Sequence, residues 1–171
     1  MNGLLKSYKT LPLSVERGQD VHIFDTAGKK YLDLYAGHAV ASTGHCHPRV
    51  VKAVQDQVAK LIFYSNVAGS DLRTRAADKL LTFAPKGFSN VLFANSGAEA
   101  NENALKMARR HTGRTGIVSM TGGFHGRTAG AISVTGIDKY RAAAAPLVPG
   151  ASFIPFGDLK AAEAAVTGDT A

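Results

Sequence analysis

Residues 91–128 read VLFANSGAEANENALKMARRHTGRTGIVSMTGGFHGRT, and the order of elements in this stretch decides the fold. The apolar run Val91–Ala94 is long enough for a buried strand and too short for a helix. Ser96, followed three residues later by Glu99, predicts a capping box. The serine hydroxyl accepts a hydrogen bond from the Glu99 N–H, and the carboxylate accepts one from the Ser96 N–H. The stretch therefore predicts a strand that turns sharply into a helix.

The helix after this turn is marked by its apolar spacing and by its C-terminal end. Its apolar stripe consists of Ala98, Ala104, Leu105 and Ala108. The basic run at 109–111 suits the negative end of the helix dipole, and Gly113 suits the left-handed position that ends a helix. A second strand over Ile117–Met120 and a glycine-rich loop at 122–128 follow.

A strand that turns through Asn-Ser-Gly-Ala into a helix presents free backbone N–H groups at a positive dipole end. Such turns bind phosphate groups in α/β proteins. Gly97 allows an anion to approach the backbone closely, and Ser96 adds a hydroxyl. An isolated S-x-x-E motif is more often only a helix cap. The second unusual segment, GGFHGRT at 122–128, shifts the interpretation towards a ligand site.

These segments resemble a known family. NSGAEANE (95–102) followed by GGFHGRT (122–128) is similar to the class III aminotransferases, which use pyridoxal 5′-phosphate. The resemblance extends from YLDLYAGHAVASTGHCHP (31–48) through SVTGIDKY (133–140) to PFGDLKAAEAAV (155–166), and it is strongest to the acetylornithine type.

The resemblance implies an α/β fold, the N-terminal portion of a fold type I transferase that depends on pyridoxal phosphate. Residues 1–45 would form an N-terminal arm, with little structure in 1–13, and a β-hairpin segment. Residues 46–171 would form an incomplete cofactor-binding large domain, in which helices cover part of a mostly parallel sheet.

Site residues follow from the same resemblance. The cofactor phosphate is assigned to three residues at the start of the helix, namely Ser96, Gly97 and Ala98. Phe124 would cover one face of the pyridine ring, although loop phenylalanines usually pack into a core. Arg127 would bind the α-carboxylate of the amino-acid substrate and then of 2-oxoglutarate through its rigid fork; the alternative is a surface arginine. The neighbouring His125 receives no role.

The family transfers an amino group in two half-reactions, which require a Schiff-base lysine and an aspartate on the ring nitrogen of the cofactor. In the family both residues lie after the segment that is matched here. No catalytic residue is therefore expected within 1–171. We expect the N-terminal part of a larger enzyme, whether a truncation or half of a split pair, that is inactive without its missing C-terminal half or a complementary chain. The complete enzyme is expected to be a homodimer.

The N-terminal third of the sequence carries local signals of its own. Val21–Phe24 and Tyr31–Leu34 flank a turn signal at 25–28 and predict an antiparallel hairpin. Pro48 is typical of the first turn of a helix. The buried stripe predicted for that helix consists of Val51, Val54, Val58 and Leu61.

Helices and strands alternate in the rest of the chain. A helix after Asp71 is predicted to bury Leu72, Ala76, Leu80 and Phe83. Beyond the glycine-rich loop we expect a helix, a strand at Phe153–Ile154, and a last helix that Asp158 caps and that runs through Val166. Alternation of this kind predicts a parallel sheet with helical cover.

Composition excludes several classes of protein. With 171 residues, of which 45% are hydrophobic, the chain can bury a core. It has no apolar run of about 18 residues, so no membrane span is expected. A single cysteine fits a reducing, cytoplasmic location. The net charge of +7 permits nucleic-acid binding, but the basic residues are scattered. An anionic cofactor and acidic substrates explain this charge equally well, and no nucleic-acid partner is predicted.

The sequence His45-Cys46-His47 raises the question of a metal site. Such a site needs three or four ligands, and no further cluster supplies them, so no metal is predicted. A turn that leads into the Pro48 helix is the preferred interpretation. No base at recognisable spacing accompanies Cys46, so it is not a predicted nucleophile.

Two alternative functions stay open from the sequence. A 4-aminobutyrate or other ω-amino-acid aminotransferase carries the same FHGRT and NSGAEA motifs. A chain of a different class, a non-catalytic structural or phosphate-ligand-binding module, can also be built from this fold.

Overall fold

Strand pairing separates the chain into an antiparallel part and a parallel part. The computed structural model describes residues 3–5 and 9–171, and its contacts divide into two units, 1–70 and 71–171. In chain order the elements are β1 (Val15–Gln19), β2 (His22–Asp25), β3 (Lys30–Leu32), α1 (Ala36–Ala39), α2 (Pro48–Val58), α3 (Asp71–Leu81), α4 (Gly97–Thr112), β4 (Ile117–Met120), α5 (Ala129–Ser133), α6 (Asp138–Ala143), β5 (Ala151–Ile154) and α7 (Leu159–Ala165). The predicted arm over 1–13 lies partly outside the described residues, and the domain boundary after residue 45 stays a prediction.

The first unit contains an antiparallel sheet in the order β1-β2-β3, which confirms the predicted hairpin and adds β1. The turn between β2 and β3 is closed by Asp25, whose Oδ1 accepts from the N–H groups of Ala27 at 3.0 Å and Lys29 at 2.9 Å. The Tyr31 hydroxyl donates to Asp25 Oδ2 at 2.8 Å. This bond and the two N–H donors lower the pKa of Asp25, because they favour the charged carboxylate.

The loop after β3 is pinned by one carboxylate. Asp33 Oδ1 accepts from the N–H groups of Tyr35 at 3.0 Å and Ala36 at 2.9 Å, and Oδ2 lies 2.6 Å from His45 Nε2. The contact with His45 is the largest cause that lowers the pKa of Asp33. The short element α1 is a left-handed turn, since Gly37 and His38 have φ near +60°.

Helix α2 begins as predicted but does not bury its stripe. The side chain of His47 accepts from the Arg49 N–H at 3.3 Å, and Pro48 occupies the first turn. The predicted stripe is exposed, with Val54 at 60%. The prediction of burial is therefore wrong for this structure, because no described element covers these side chains.

Helix α3 shows the same difference. Its predicted inward residues Leu72, Ala76, Leu80 and Phe83 are all exposed. Periodicity places apolar side chains on one face of a helix, but burial requires a second surface on that face. The described chain supplies no such surface to α3.

The second unit is built around β4 and β5, which pair in parallel with Ile117 opposite Ala151. This pairing confirms the predicted parallel sheet. The capping Asp158 also behaves as expected, since its carboxylate accepts from the Ala161 N–H at 2.9 Å at the start of α7. The buried apolar core of the described residues is small. It consists of Ala131 in α5, Val134 directly after α5, and Ile154 in β5.

The predicted strand over Val91–Ala94 is absent, and these residues form no regular element. Leu92 and Phe93 are exposed. A strand exists only when a neighbour accepts and donates its ladder hydrogen bonds, and the described chain places no strand beside this segment. The strand prediction is corrected for this reason.

Candidate functional site

The N-terminus of α4 is built largely as its sequence predicts. Ser96 is the N-cap, and its Oγ accepts from the Glu99 N–H at 3.1 Å. The Glu99 carboxylate does not return to the Ser96 N–H as predicted. It accepts instead from the main chain of Asn95 at 2.7 Å and from the Asn95 side-chain amide at 3.1 Å. Asn95 offers two donors to one carboxylate, which makes it the better partner.

The first turn of α4 leaves room and donors for an anion. The N–H groups of Gly97 and Ala98 have no acceptor among the described residues, as expected for the first turn of a helix. A Cβ added at Gly97 would meet nothing within 4 Å. Free N–H groups, the positive dipole end and open space together fit a phosphate group.

The glycine-rich loop packs directly on this turn. Gly126 has φ of +135°, and a Cβ added there would lie 2.7 Å from Ala98 Cβ and 2.9 Å from Ala131 Cβ. Only glycine allows so close an approach in this backbone conformation. The two segments that the sequence singled out, 95–98 and 122–128, are therefore neighbours in space.

Phe124 and Arg127 project from the same loop. Phe124 is 52% exposed, so it is not a core residue of the described chain. Its edge contact with Tyr140 has ring centroids 6.0 Å apart at an angle of 79°. The guanidinium carbon of Arg127 lies 5.8 Å from the Phe124 ring centroid. The aromatic face and the cationic fork thus lie close together at the loop.

Two side chains of α4 hold the loop, and the sequence interpretation missed both. Asn101 Nδ2 donates to the carbonyl of His125 at 2.7 Å. Glu102 Oε1 accepts from the N–H groups of Gly130 at 2.8 Å and Ala131 at 3.1 Å. Asn101 and Glu102 follow Ala98 by three and four residues, which places them on the same face of α4 as Ala98. This spacing was the only signal in the sequence that pointed to their roles.

The charge of Glu102 matters to this contact. Its pKa is held below its ordinary value of 4.5, first by a hydrogen bond from the Thr128 side chain and then by the N–H groups of Ala131 and Gly130. These donors stabilise the ionised carboxylate more than burial penalises it. Glu102 therefore binds both the end of the glycine-rich loop and the start of α5 as an anion.

The histidines near Cys46 have other partners. His45 contacts Asp33, and His47 caps α2, which confirms the predicted turn into that helix. Among the described residues, no three His, Cys, Asp or Glu side chains cluster in a way that could hold a metal ion. In the same part of the chain, no helix is long and apolar enough to cross a membrane.

Comparison with known proteins gives consistent matches over almost the whole chain. The profile of the aminotransferase class-III family matches residues 5–169. Acetylornithine aminotransferase of Methanopyrus kandleri is 43% identical over 98% of this chain and 43% of its own length. A putative [LysW]-aminoadipate semialdehyde/glutamate semialdehyde transaminase of Pyrococcus abyssi is 45% identical over 93% of this chain and 43% of its own length.

A solved structure agrees in three dimensions. Ornithine aminotransferase of Toxoplasma gondii, with pyridoxal phosphate at partial occupancy in its active site, superposes with a TM-score of 0.87. The match has 29% identity and covers 95% of this chain and 40% of that one. The predicted α/β fold of a fold type I transferase is confirmed. The chain belongs to the class III aminotransferase family, and it spans less than half the length of the relatives it matches.

Proposed function

We propose that this chain contributes the phosphate-binding and carboxylate-binding part of a class III aminotransferase that uses pyridoxal 5′-phosphate. The observation that carries the proposal is the packing of Gly126 on Ala98, which sets the glycine-rich loop against the free N–H groups at the start of α4. The family membership supports the same assignment.

Each site residue has a role that its geometry permits. The N–H groups of Gly97 and Ala98 donate to the cofactor phosphate, and the Ser96 hydroxyl, which accepts from Glu99, keeps its proton as a further donor. Phe124 offers an exposed aromatic face to the cofactor ring. Arg127 binds the substrate carboxylate with two parallel hydrogen bonds. The cofactor itself supplies the electron sink and carries the amino group between substrates.

The proposed amino donor is N-acetylornithine or a similar ω-amino acid, and the proposed acceptor is 2-oxoglutarate. The name of the Methanopyrus kandleri relative supports the proposed amino donor. The Pyrococcus abyssi relative, named as a putative aminoadipate semialdehyde/glutamate semialdehyde transaminase, supports a semialdehyde transaminase as a second candidate. The homodimer and the cytoplasmic location also stay proposals.

The phosphate site is tested by a variant that spares the fold. Gly97→Asp fits the open space at this position, and an acidic side chain suits the first turn of a helix. It would place a negative charge where the phosphate binds. We expect calorimetric titration with pyridoxamine 5′-phosphate to show a Kd at least about tenfold higher than for the unsubstituted chain.

Gly168→Asp is the matched control, since a Cβ there also meets nothing within 4 Å and Gly168 lies outside the site. Equal affinity in both variants would contradict the phosphate site. Failure of the unsubstituted chain to bind pyridoxamine phosphate or inorganic phosphate would contradict the proposed function itself.

The proposed lack of a catalytic lysine has its own measurement. The chain is reduced with borohydride in pyridoxal phosphate, with and without a chain that supplies the remainder of the fold, and labelled peptides are identified by mass spectrometry. We expect stoichiometric labelling only with the added chain, and on that chain. Stoichiometric labelling of one lysine within residues 1–171 would overturn this part of the proposal.

A further inference from the structure

His125 lies in the sequence between Phe124 and Arg127, to which the proposed function assigns the cofactor and the substrate. Three polar groups of His125 lie within hydrogen-bond distance of partners. Its main-chain N–H donates to Thr135 Oγ1 at 3.1 Å. Its carbonyl accepts from Asn101 Nδ2 at 2.7 Å. Its ring Nε2 lies 3.2 Å from Ser119 Oγ. The partners come from β4, from α4 and from the segment after α5, so three separate parts of the chain meet at this one loop residue.

Two of the partners of His125, Thr135 and Ser119, are themselves buried and hydrogen-bonded. Thr135 is fully buried, and its hydroxyl donates to the Ala131 carbonyl at 2.9 Å. Ser119 is 8% exposed, and its hydroxyl donates to the Val134 carbonyl at 2.6 Å. Rotation of either hydroxyl would leave a buried carbonyl without that donor, which is costly.

These bonds determine the tautomer of His125. The single proton of Ser119 is used on the Val134 carbonyl, so Ser119 Oγ has only lone pairs to offer to the ring. The Nε2 atom of His125 must therefore carry a proton and donate. Gly123 makes room for this ring, since a Cβ there would lie 3.1 Å from Nε2.

We propose that His125 is a positioning residue, which holds the loop so that Phe124 and Arg127 face the ligand bound at the start of α4. The inference rests on the proposed function and gives a role to the loop histidine, which the family resemblance leaves without one. His125 does not touch the ligand in this scheme; it acts through its two neighbours.

Substitutions distinguish the effect of the hydrogen bond to Ser119 from the effect of the ring shape. In His125→Gln the side-chain amide nitrogen reaches about as far as Nε2 and can still donate to Ser119. In His125→Asn the amide falls short of Ser119. Ser119→Ala removes the acceptor and keeps the histidine. His111→Asn, at an exposed position in the last turn of α4, is the matched control.

The measurement is the Kd of two probes for each variant. Pyridoxamine 5′-phosphate needs both the phosphate site and the loop, whereas inorganic phosphate needs only the start of α4. We expect His125→Asn and Ser119→Ala to weaken pyridoxamine phosphate about five- to tenfold, as for one lost hydrogen bond. His125→Gln should restore most of the affinity, His111→Asn should change nothing, and inorganic phosphate should bind all variants equally.

Two further readouts make the outcome decisive. Nitrogen NMR of the chain should show His125 protonated at Nε2, and the double variant Ser119→Ala/His125→Asn should bind no worse than either single variant. An Nδ1–H tautomer, or unchanged binding of pyridoxamine phosphate by His125→Asn, would overturn the inference and leave the proposed function standing. Equal loss of both probes would show a general structural defect and would also overturn it. If the unsubstituted chain binds neither probe, the proposed function fails first.

Discussion

The segment 119–136, which runs from the end of β4 through the glycine-rich loop and α5, differs in burial from the helices α2 and α3. This segment contains most of the buried residues of the described chain, including Ala131 and Thr135 at 0% exposure. The two helices are regular, yet their apolar stripes are exposed, with Val54 at 60% and Leu80 at 51%. Regular secondary structure and burial are therefore separate properties in this chain.

The difference has a physical cause. The backbone of the segment 119–136 is satisfied by single side chains of α4: Asn101 donates to the carbonyl of His125, and Glu102 accepts from the N–H of Gly130. Single hydrogen bonds cannot satisfy an apolar stripe, because it gains free energy only when a second apolar surface removes it from water. The following predictions test each side of this comparison.

The largest effect is expected at Gly136. A Cβ there would overlap the main-chain carbonyl oxygen of Met120, and backbone atoms cannot move aside as a flexible side chain can. Gly136→Ala should lower the free energy of unfolding in urea by about 3 kcal/mol or more. Gly168→Ala, which meets nothing within 4 Å, should change it by less than about 0.5 kcal/mol. Equal unfolding midpoints for the two variants would contradict tight packing of the segment 119–136.

A matched valine pair compares the two regions directly. Val134→Ala, at 7% exposure, should cost about 2 kcal/mol of unfolding free energy, because it removes buried methyl groups and leaves a small cavity. Val54→Ala, at 60% exposure, should cost less than about 0.5 kcal/mol. Urea unfolding of both variants checks this. A large cost at Val54 would mean that α2 is covered in solution.

The third prediction concerns pH and Glu102. Its pKa is lowered in the folded chain, so its contribution to stability is fully present above the ordinary value of 4.5. That contribution is lost as the pH falls from 4.5 through the lowered pKa. Glu102→Gln should lower the free energy of unfolding by about 1 kcal/mol at pH 7, because a charged acceptor for two N–H groups becomes a neutral one.

The variant should also flatten the loss of stability on acidification below pH 4.5, measured by urea unfolding across that range. Glu163→Gln, at an exposed position of α7, is the control for the loss of a carboxylate in general. An unaltered acid profile in Glu102→Gln would show that Glu102 is not the titrating group.

The smallest effect is expected on α2. Lys52 Nζ lies 2.6 Å from Asp56 Oδ1 on the exposed face of that helix. Such pairs contribute about 0.3 kcal/mol and are screened by salt. Lys52→Gln should therefore shift the unfolding free energy by about that amount at low salt and by less at high salt. A larger cost would indicate that this face of α2 is not solvated.

Sequence reasoning located the two segments of the candidate site but not the contacts that join them. The two ends of α4, the cap at Ser96 and the left-handed Gly113, were predictable. Each end depends only on residues within about one helical turn of it. The contact between Gly126 and Ala98 joins residues far apart in sequence, and no local pattern encodes such a distance. The same reason explains why the roles of Asn101 and Glu102 were missed.

The strand predicted at Val91–Ala94 is the converse case, in which a local pattern is present but the predicted element does not form. Its apolar run is a genuine local signal, but a strand needs a hydrogen-bonding neighbour that the described chain does not place there. The roles proposed for Ser96, Gly97, Ala98, Phe124 and Arg127 stay predictions until ligand binding is measured.

The sequence by itself determined the elements whose signals are local, namely the hairpin, the capped helices α4 and α7, and the parallel order of β4 and β5, together with family membership through its motifs. Tertiary structure alone decided which apolar faces are buried, where the glycine-rich loop rests, and which groups surround the side chain of His125. Caps, turns and periodicity act over a few residues, whereas burial and hydrogen-bond partnership depend on surfaces that folding brings together from distant parts of the chain.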